Sequence, residues 1–384
     1  MSDPVQLLLA GFEKLPVTAR ILEHLEDGMQ RRAGGLWGAS AALLMAVLVG
    51  RWRGTVLVVT ADDVESLQLH HDLLALGTRS LVLPRQEKDA DGMPDPLTSG
   101  ERARALAAVA EQKLPLVASI EALLQPAPTP SGMRRGRVEL VAGQQGLRSQ
   151  LLAQAQAAGL RSVPLVLAPG ELSARGDVVD VWPVAEVCAI RLEFLDETLE
   201  SIRTFDPASQ RTVSVLDRVS VSLGGAGEIQ LGPVRKHLAG KLLVCRHEPL
   251  RIEERTAFLS AFDSTLQDEL AGLTEHLRTR PQLDVSSLPS QDLDYKILSA
   301  GSAAGSGEAD PVGRLRSIRG ARGRVVLMCR SDEERERIAE ILAHKQVELA
   351  AEQVALRTGA ISRGFRIPDL HTTVISNVEF AGVQ

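Results

Sequence analysis

Apolar and polar positions along the chain change period several times. Ala41–Val49 is apolar at helical spacing, and Thr55–Thr60 (TVLVVT) is β-branched on both faces, as in a strand covered on both sides. Thr60 with Asp63 predicts a cap for a helix over Asp62–Leu76, closed by Gly77. Leu81–Leu83 reads as a short strand, Thr98 with Glu101 as a capping box opening a helix over Glu101–Lys113, and Leu116–Ala118 as a third strand. Strand and helix alternating at this spacing imply right-handed crossovers and a parallel sheet.

The Pro-rich stretch PAPTPSG (126–132) breaks the alternation and marks a boundary. A helix over Leu147–Ala158 is followed by predicted strands at Val163–Leu167, Asp177–Trp182, Ala189–Phe194, Leu199–Thr204 and Thr212–Leu223. Asp196–Glu197 forms the turn of a hairpin, and the unit reads as antiparallel α+β. Residues 223–285 return to helical spacing, notably Arg255–Leu277, and 298–313 (LSAGSAAGSGEADPVG) has the composition of a loose linker. A last α/β stretch follows: strand Arg324–Met328, a Ser331/Glu334 capping box, helix Asp332–Lys345 and strand Thr372–Ser376. The chain then ends at EFAGVQ with no helix expected after that strand, which suggests a cut. The plan is an α/β domain over 1–126, an α+β insertion over 127–222, a mostly helical return over 223–297, the linker, and a small, truncated α/β domain over 314–384.

Composition narrows the chemistry. Of 384 residues, 44% are hydrophobic and 24% charged, enough to bury cores, whereas 3% aromatics argue against base-stacking platforms. The formal charge of −6 leaves no whole-chain basic surface for polyanions. Cys188, Cys245 and Cys329 lie far apart without metal or disulfide spacing, which fits a reducing cytoplasm. The N-terminus lacks the basic region of a signal peptide, and the longest apolar run, Ala39–Gly50, is shorter than the roughly 18 residues of a membrane span, so a soluble protein is expected.

The one stretch resembling a phosphate cradle is GGLWGASAALLM (34–45), a Gly-rich turn entering a helix, with Gly35, Gly38 and Ser40 at the key places. A working loop needs a lysine after the last glycine, but Ala39 stands there and no lysine occurs between Lys14 and Lys88. The segment is therefore read as a degenerate, inactive phosphate loop. His70–His71 is read as a solvated pair on a helix, Asp89–Asp95 as a solvated loop, and SDEERERIAE (331–340) as a helix start. No catalytic triad signature, HExxH motif or carboxylate box for catalytic magnesium is present. The expectation is that this segment is no enzyme and holds no metal or cofactor.

Residues 159–211 carry a denser pattern. G-E-x-x-x-R-G-x-x-x-D-x-x-P runs from Gly170 and Glu171 through Arg175, Gly176 and Asp180 to Pro183. Arg191, Glu193 and Phe194 follow, then Asp196–Glu197, Glu200–Arg203, Phe205–Pro207 and Gln210–Arg211. This block resembles the UvrB-homology region of the bacterial transcription-repair coupling factors and, more distantly, UvrB. Looser resemblance extends to LWGASAALLMAVL, GERARALAAVA and LVASIEALLQPAP, and to LRTGAISRGFRIPDLHTTVISNVEF near the end. The family's Trp-Glu-x-Leu-Pro-Tyr-Asp loop is altered to RQEKDADGMPD, and 223–285 match poorly.

The resemblance implies a degenerate RecA/helicase-like parallel-sheet domain, an inserted antiparallel α+β UvrA-binding domain, and a small C-terminal α/β domain. It implies a cytoplasmic scaffold that recruits UvrA for transcription-coupled excision repair, with Arg161, Arg175 and Trp182 facing that partner. RNA polymerase and double-stranded DNA would be met, and ATP with magnesium used, only by motor domains outside this segment. In 161–218 six arginines and no lysine stand against ten carboxylates, a balance that favours a protein partner over nucleic-acid phosphates. The other reading, a stand-alone UvrB-like DNA-binding or NTPase-like protein, requires the nucleotide affinity that the missing lysine disfavours.

Overall fold

The computed structural model describes residues 3–381 apart from 26–29, 89–91, 93, 113, 136, 158, 185, 187, 223–230, 263, 301–310, 320–322 and 348–352. Much of the acidic 89–95 stretch and of the 298–313 linker lies outside the described residues. Two compact units separate: Met1–Val82 with Lys113–Glu121 and Gly240–Gln384, and Leu83–Gln112 with Ala122–Ala239.

The first unit is built on a seven-stranded sheet. Its order is Leu293–Asp294, Gln30–Gly34, Gln282–Val285, Leu242–His247, Thr55–Thr60, Leu116–Ser119 and Leu81–Leu83. The pairings from Leu293–Asp294 across to Leu116–Ser119 are all parallel, as the alternation of elements predicts. Three of these strands, Leu242–His247, Gln282–Val285 and Leu293–Asp294, come from the region 223–297 read as mostly helical, since such short runs are too brief to show a period. The helix expected over Arg255–Leu277 is two helices, Pro249–Phe262 and Ser264–Arg278.

Helix starts differ from the sequence expectation in their capping residue. The Asp63–Ala75 helix is capped by Asp62, whose carboxylate accepts from the Glu65 amide, while the Thr60 hydroxyl bonds to Ser66 Oγ. The helix expected from Glu101 begins at Pro96, because the Asp95 carboxylate accepts from the Thr98 amide at 2.9 Å. The Ser331/Glu334 box forms as predicted: Ser331 Oγ accepts from the Glu334 amide, and the Glu334 carboxylate accepts from the Arg330 amide. His70 is not a solvated histidine. Its Nδ1 lies 2.7 Å from Ser80 Oγ, and burial lowers its pKa.

A second, five-stranded sheet in the same unit runs Leu298–Ser299, Phe365–Ile367, Thr372–Ser376, Arg324–Cys329 and Val354–Thr358. Helices Pro311–Arg319, Asp332–His344 and Asn377–Ala381 supply Leu315, Ile318, Ile338, Leu342 and Phe380 to the core on one side. The final strand is therefore followed by a helical turn, against the expectation of none. On the other side, Val326, Met328, Phe365, Ile367 and Val374 join one core with Val5, Leu8 and Phe12 of the first helix and Leu43, Leu44 and Leu48 of the Ser40–Arg51 helix.

Asp72, buried on the Asp63–Ala75 helix, accepts hydrogen bonds from the amide and the hydroxyl of Ser362, at 2.6 Å each. Burial pushes its carboxyl up to about 6 from an ordinary 3.8, the Ser362 bonds offsetting part of the rise. A folded-state value above the unfolded one gives stability that is complete below the unfolded value and fades as pH rises through about 6. About 1.4 kcal/mol of that loss should fall between pH 5 and 7.5. Asp72→Asn keeps the hydrogen-bonding shape and cannot ionise. Its stability relative to wild type, from urea midpoints, should rise by that amount over this interval; a flat difference would remove the assignment.

The second unit is a six-stranded sheet: Thr212–Leu216, Thr198–Phe205, Ala189–Leu195, Val178–Trp182, Glu171–Arg175 and Arg161–Ser162. All pairings are antiparallel except the last. The expected strand Val163–Leu167 is instead a loop whose Leu167 and Ala168 amides bond to the Glu171 carboxylate. The long strand expected over Thr212–Leu223 divides at Asp217, and Arg218–Ser222 pairs with Arg137–Val141 in a separate ribbon. One sheet face packs Leu172, Val179, Val181, Ile190, Leu192 and Ile202 on Leu147, Leu151 and Ala155 of the adjoining Arg148–Ala157 helix region.

Candidate functional site

The loop expected to be a degenerate phosphate cradle follows the Gln30–Gly34 strand and enters the Ser40–Arg51 helix, at the carboxyl ends of the parallel strands where α/β sheets take their ligands. Gly35 and Gly38 have left-handed backbones, φ 70° and 59°. Four amides that could face an anion are committed within the protein. Gly35 donates to the Leu288 carbonyl (2.9 Å), Leu36 to Ser286 (3.1 Å), Ala39 to Arg363 (3.0 Å) and Ser40 to Trp37 (3.3 Å). The Ser40 hydroxyl is fully buried without a hydrogen-bond partner among the described residues. Two strands across the sheet from this loop, the strand Leu242–His247 carries Arg246 near its carboxyl end, and the Arg246 guanidinium pairs with Asp284 through two bonds of 2.7 Å. Among the described residues no group of three or more His, Cys, Asp or Glu side chains could hold a metal ion.

The other face of the six-stranded sheet is polar. Glu171 is its first anchor: its carboxylate accepts from the Leu167 and Ala168 amides at 2.7 and 2.9 Å and from the Arg161 guanidinium. Burial alone would raise this carboxyl, but the two amides and Arg161 outweigh it and hold it below the ordinary carboxylate range. Asp180 is the second anchor, only 1% exposed. It takes Arg191 through two bonds of 2.7 and 2.8 Å and Arg175 at 3.3 Å. Arg191 also lies 4.6 Å over the Phe205 ring, and its bonds to Asp180 raise its pKa despite partial burial. Glu193, Ser201 and Arg203 continue the row, Glu193 accepting from both neighbours.

The motif read from sequence thus resolves into structural duties. Gly170 and Gly176 occupy left-handed positions, φ 86° and 57°, on either side of the Glu171–Arg175 strand, while Glu171 and Asp180 hold arginines. Arg161 and Arg175 keep side-chain exposures of 73% and 54%, so both guanidinium groups remain presented to solvent. Trp182 stands opposite Glu171 in the ladder, but its indole N–H is committed to the Glu186 carbonyl at 3.2 Å and its ring packs beside Val163 and Val166. Arg161, Glu171 and Trp182 therefore form one row, with Arg175 on the same face of its strand about 13 Å further along. Sequence reasoning did not single out Asp180 or Arg191 as a paired centre. Their signal was cross-strand register, which places 180 opposite 191.

Residues 138–223 match the UvrB interaction domain family. The chain is 34% identical over 215 residues to the transcription-repair-coupling factor of Myxococcus xanthus, a match covering 53% of this chain and 18% of that protein. It is 27% identical over 212 residues to the same-named protein of Escherichia coli, covering 54% and 18%. It is 23% identical over 319 residues to the UvrABC system protein B of Gemmatimonas aurantiaca, covering 72% and 44%. The matched stretch spans about a fifth of the length of the coupling-factor relatives.

Proposed function

We propose that this chain, which matches the UvrB interaction domain over residues 138–223 and is similar over about half its length to transcription-repair-coupling factors, is a docking module that recruits UvrA for transcription-coupled nucleotide excision repair. The observation that carries this reading is the pair of exposed arginines, Arg161 and Arg175, each held by a buried carboxylate on the polar sheet face. A guanidinium fixed in this way has little side-chain freedom left to lose on binding, and its remaining N–H groups can engage a carboxylate bidentately. The carboxylate excess of residues 161–218 disfavours nucleic-acid phosphates as their target. In a longer protein organised like the relatives, the chain would restrain an ATP-driven DNA translocase that displaces stalled RNA polymerase. The working compartment would be the cytoplasm, and no helix among the described residues is long and apolar enough to cross a membrane.

In this reading the segment itself turns over no nucleotide. Support comes from Ala39 at the lysine position, from the loop amides bonded elsewhere, and from Arg246, which lies two strands from the loop and is paired with Asp284. Titration calorimetry of the chain with ATP and magnesium should give no saturable heat at micromolar concentrations. Saturable binding in that range would favour the NTPase-like alternative.

A further inference from the structure

We infer that the turn 359–364 is the resident occupant of the Ser40–Arg51 helix start, and that this turn ties the five-stranded sheet to the seven-stranded one without any ligand. The Arg363 carbonyl accepts from the Ala39 amide at 3.0 Å, where a phosphate-binding fold would present that amide to an anion. A carbonyl oxygen carries partial negative charge and suits the positive end of the helix dipole. Being neutral overall, it needs no ammonium group opposite, which fits alanine at position 39. Gly38 is shaped for the same contact. Its φ is 59°, and a Cβ there would lie 2.7 Å from the Arg363 carbonyl oxygen and 3.0 Å from that of Gly364. Any other residue at 38 would both strain the backbone and push the turn away.

The turn is clamped along its length by groups the docking reading does not use. Asp72 takes the Ser362 amide and hydroxyl. Glu379 takes the Gly364 amide at 2.9 Å with one oxygen, and with the other the Ser376 amide at 2.9 Å and hydroxyl at 3.1 Å. Gly359, at φ 150°, passes so close to the Asp63–Ala75 helix that a Cβ would lie 3.0 Å from Ala75 Cα. Contacts from Asp72, Gly38, Ala39 and Ala75 in the front of the chain therefore meet one six-residue turn from its back.

Hydrogen–deuterium exchange on the intact chain tests the inference. Gly38→Ala should speed exchange at least tenfold in the peptides covering 36–43 and 359–367 together, leaving 189–205 unchanged. Ser362→Ala, which removes one clamp with little risk to folding, should speed both peptides together by a smaller factor. Loosening of 359–367 without 36–43 in either variant overturns the inference. A second arm adds millimolar pyrophosphate to the wild-type chain, where exchange at 36–43 should not change. Slowing there would mean that the helix start is free to take an anion, and the inference would fail.

Discussion

Arg175→Glu is expected to weaken UvrA binding at least thirtyfold, about 2 kcal/mol, while leaving the chain folded. More than half of the side chain is exposed, and its one bond to Asp180 is long at 3.3 Å, so the glutamate can turn outward. Asp180 would remain paired through both bonds to Arg191, and no buried charge would be left alone. The loss should therefore come from reversing the charge offered to the partner, which strips a bidentate donor and adds repulsion. The measurement is affinity for purified UvrA beside a melting curve of each protein. Undiminished affinity with a wild-type melt would remove Arg175 from the docking surface. Arg161→Glu should act in the same direction but with some loss of order in the 163–168 loop, because Glu171 would then lose Arg161 as a cationic partner.

The second large effect concerns stability. Arg102 is completely buried, and its guanidinium donates to the carbonyls of Pro84 (2.6 Å), Ala122 (3.1 Å), Gln125 (3.0 Å) and Pro126 (3.3 Å). Two opposing terms decide the outcome of Arg102→Met. Removing a buried cation recovers desolvation energy, but four carbonyls lose a donor at roughly 1–3 kcal/mol for each one that stays dry. The second term is the larger, and a net loss of about 3–5 kcal/mol is expected. It should appear as a lower denaturation midpoint for the second unit. A midpoint within 0.5 kcal/mol of wild type would show that water or another donor replaces the guanidinium.

Much of the architecture could be read where local chemistry and packing agree. TVLVVT forms the doubly covered strand it resembles, Ser331 and Glu334 cap their helix from both directions, and Asp196 takes the left-handed turn position, φ 55°, of the predicted hairpin. The strand Gln30–Gly34 was not legible, because QRRAG is polar and owes its extended form to parallel neighbours on both sides. Val163–Leu167 misled for the opposite reason. Val163 and Val166 fill a small core with Phe205 and Ala189, while past the one strand-like bond from the Val163 amide to the Leu172 carbonyl the Leu167 amide is satisfied by the Glu171 carboxylate.

The site was legible in its residue types and less so in its geometry. Arg161, Arg175 and the lysine-free loop stood out in the sequence. The hub at Asp180 depends on pairing register, and the Arg363 carbonyl depends on a backbone atom that every residue possesses. No pattern of side chains announces such a contact.

The shared interior of the two sheets in the first unit bears on how this protein can be divided in the laboratory. The Gly- and Ser-rich passage near residue 300 looks like a natural place to separate two pieces. Yet Phe12 and Leu44 on one side, and Met328 and Phe365 on the other, belong to a single interior. A fragment stopped at that passage would present a broad oily surface to water and would be prone to precipitate. Shortened versions meant for partner studies are better drawn around the second unit, whose strands close on an interior of their own.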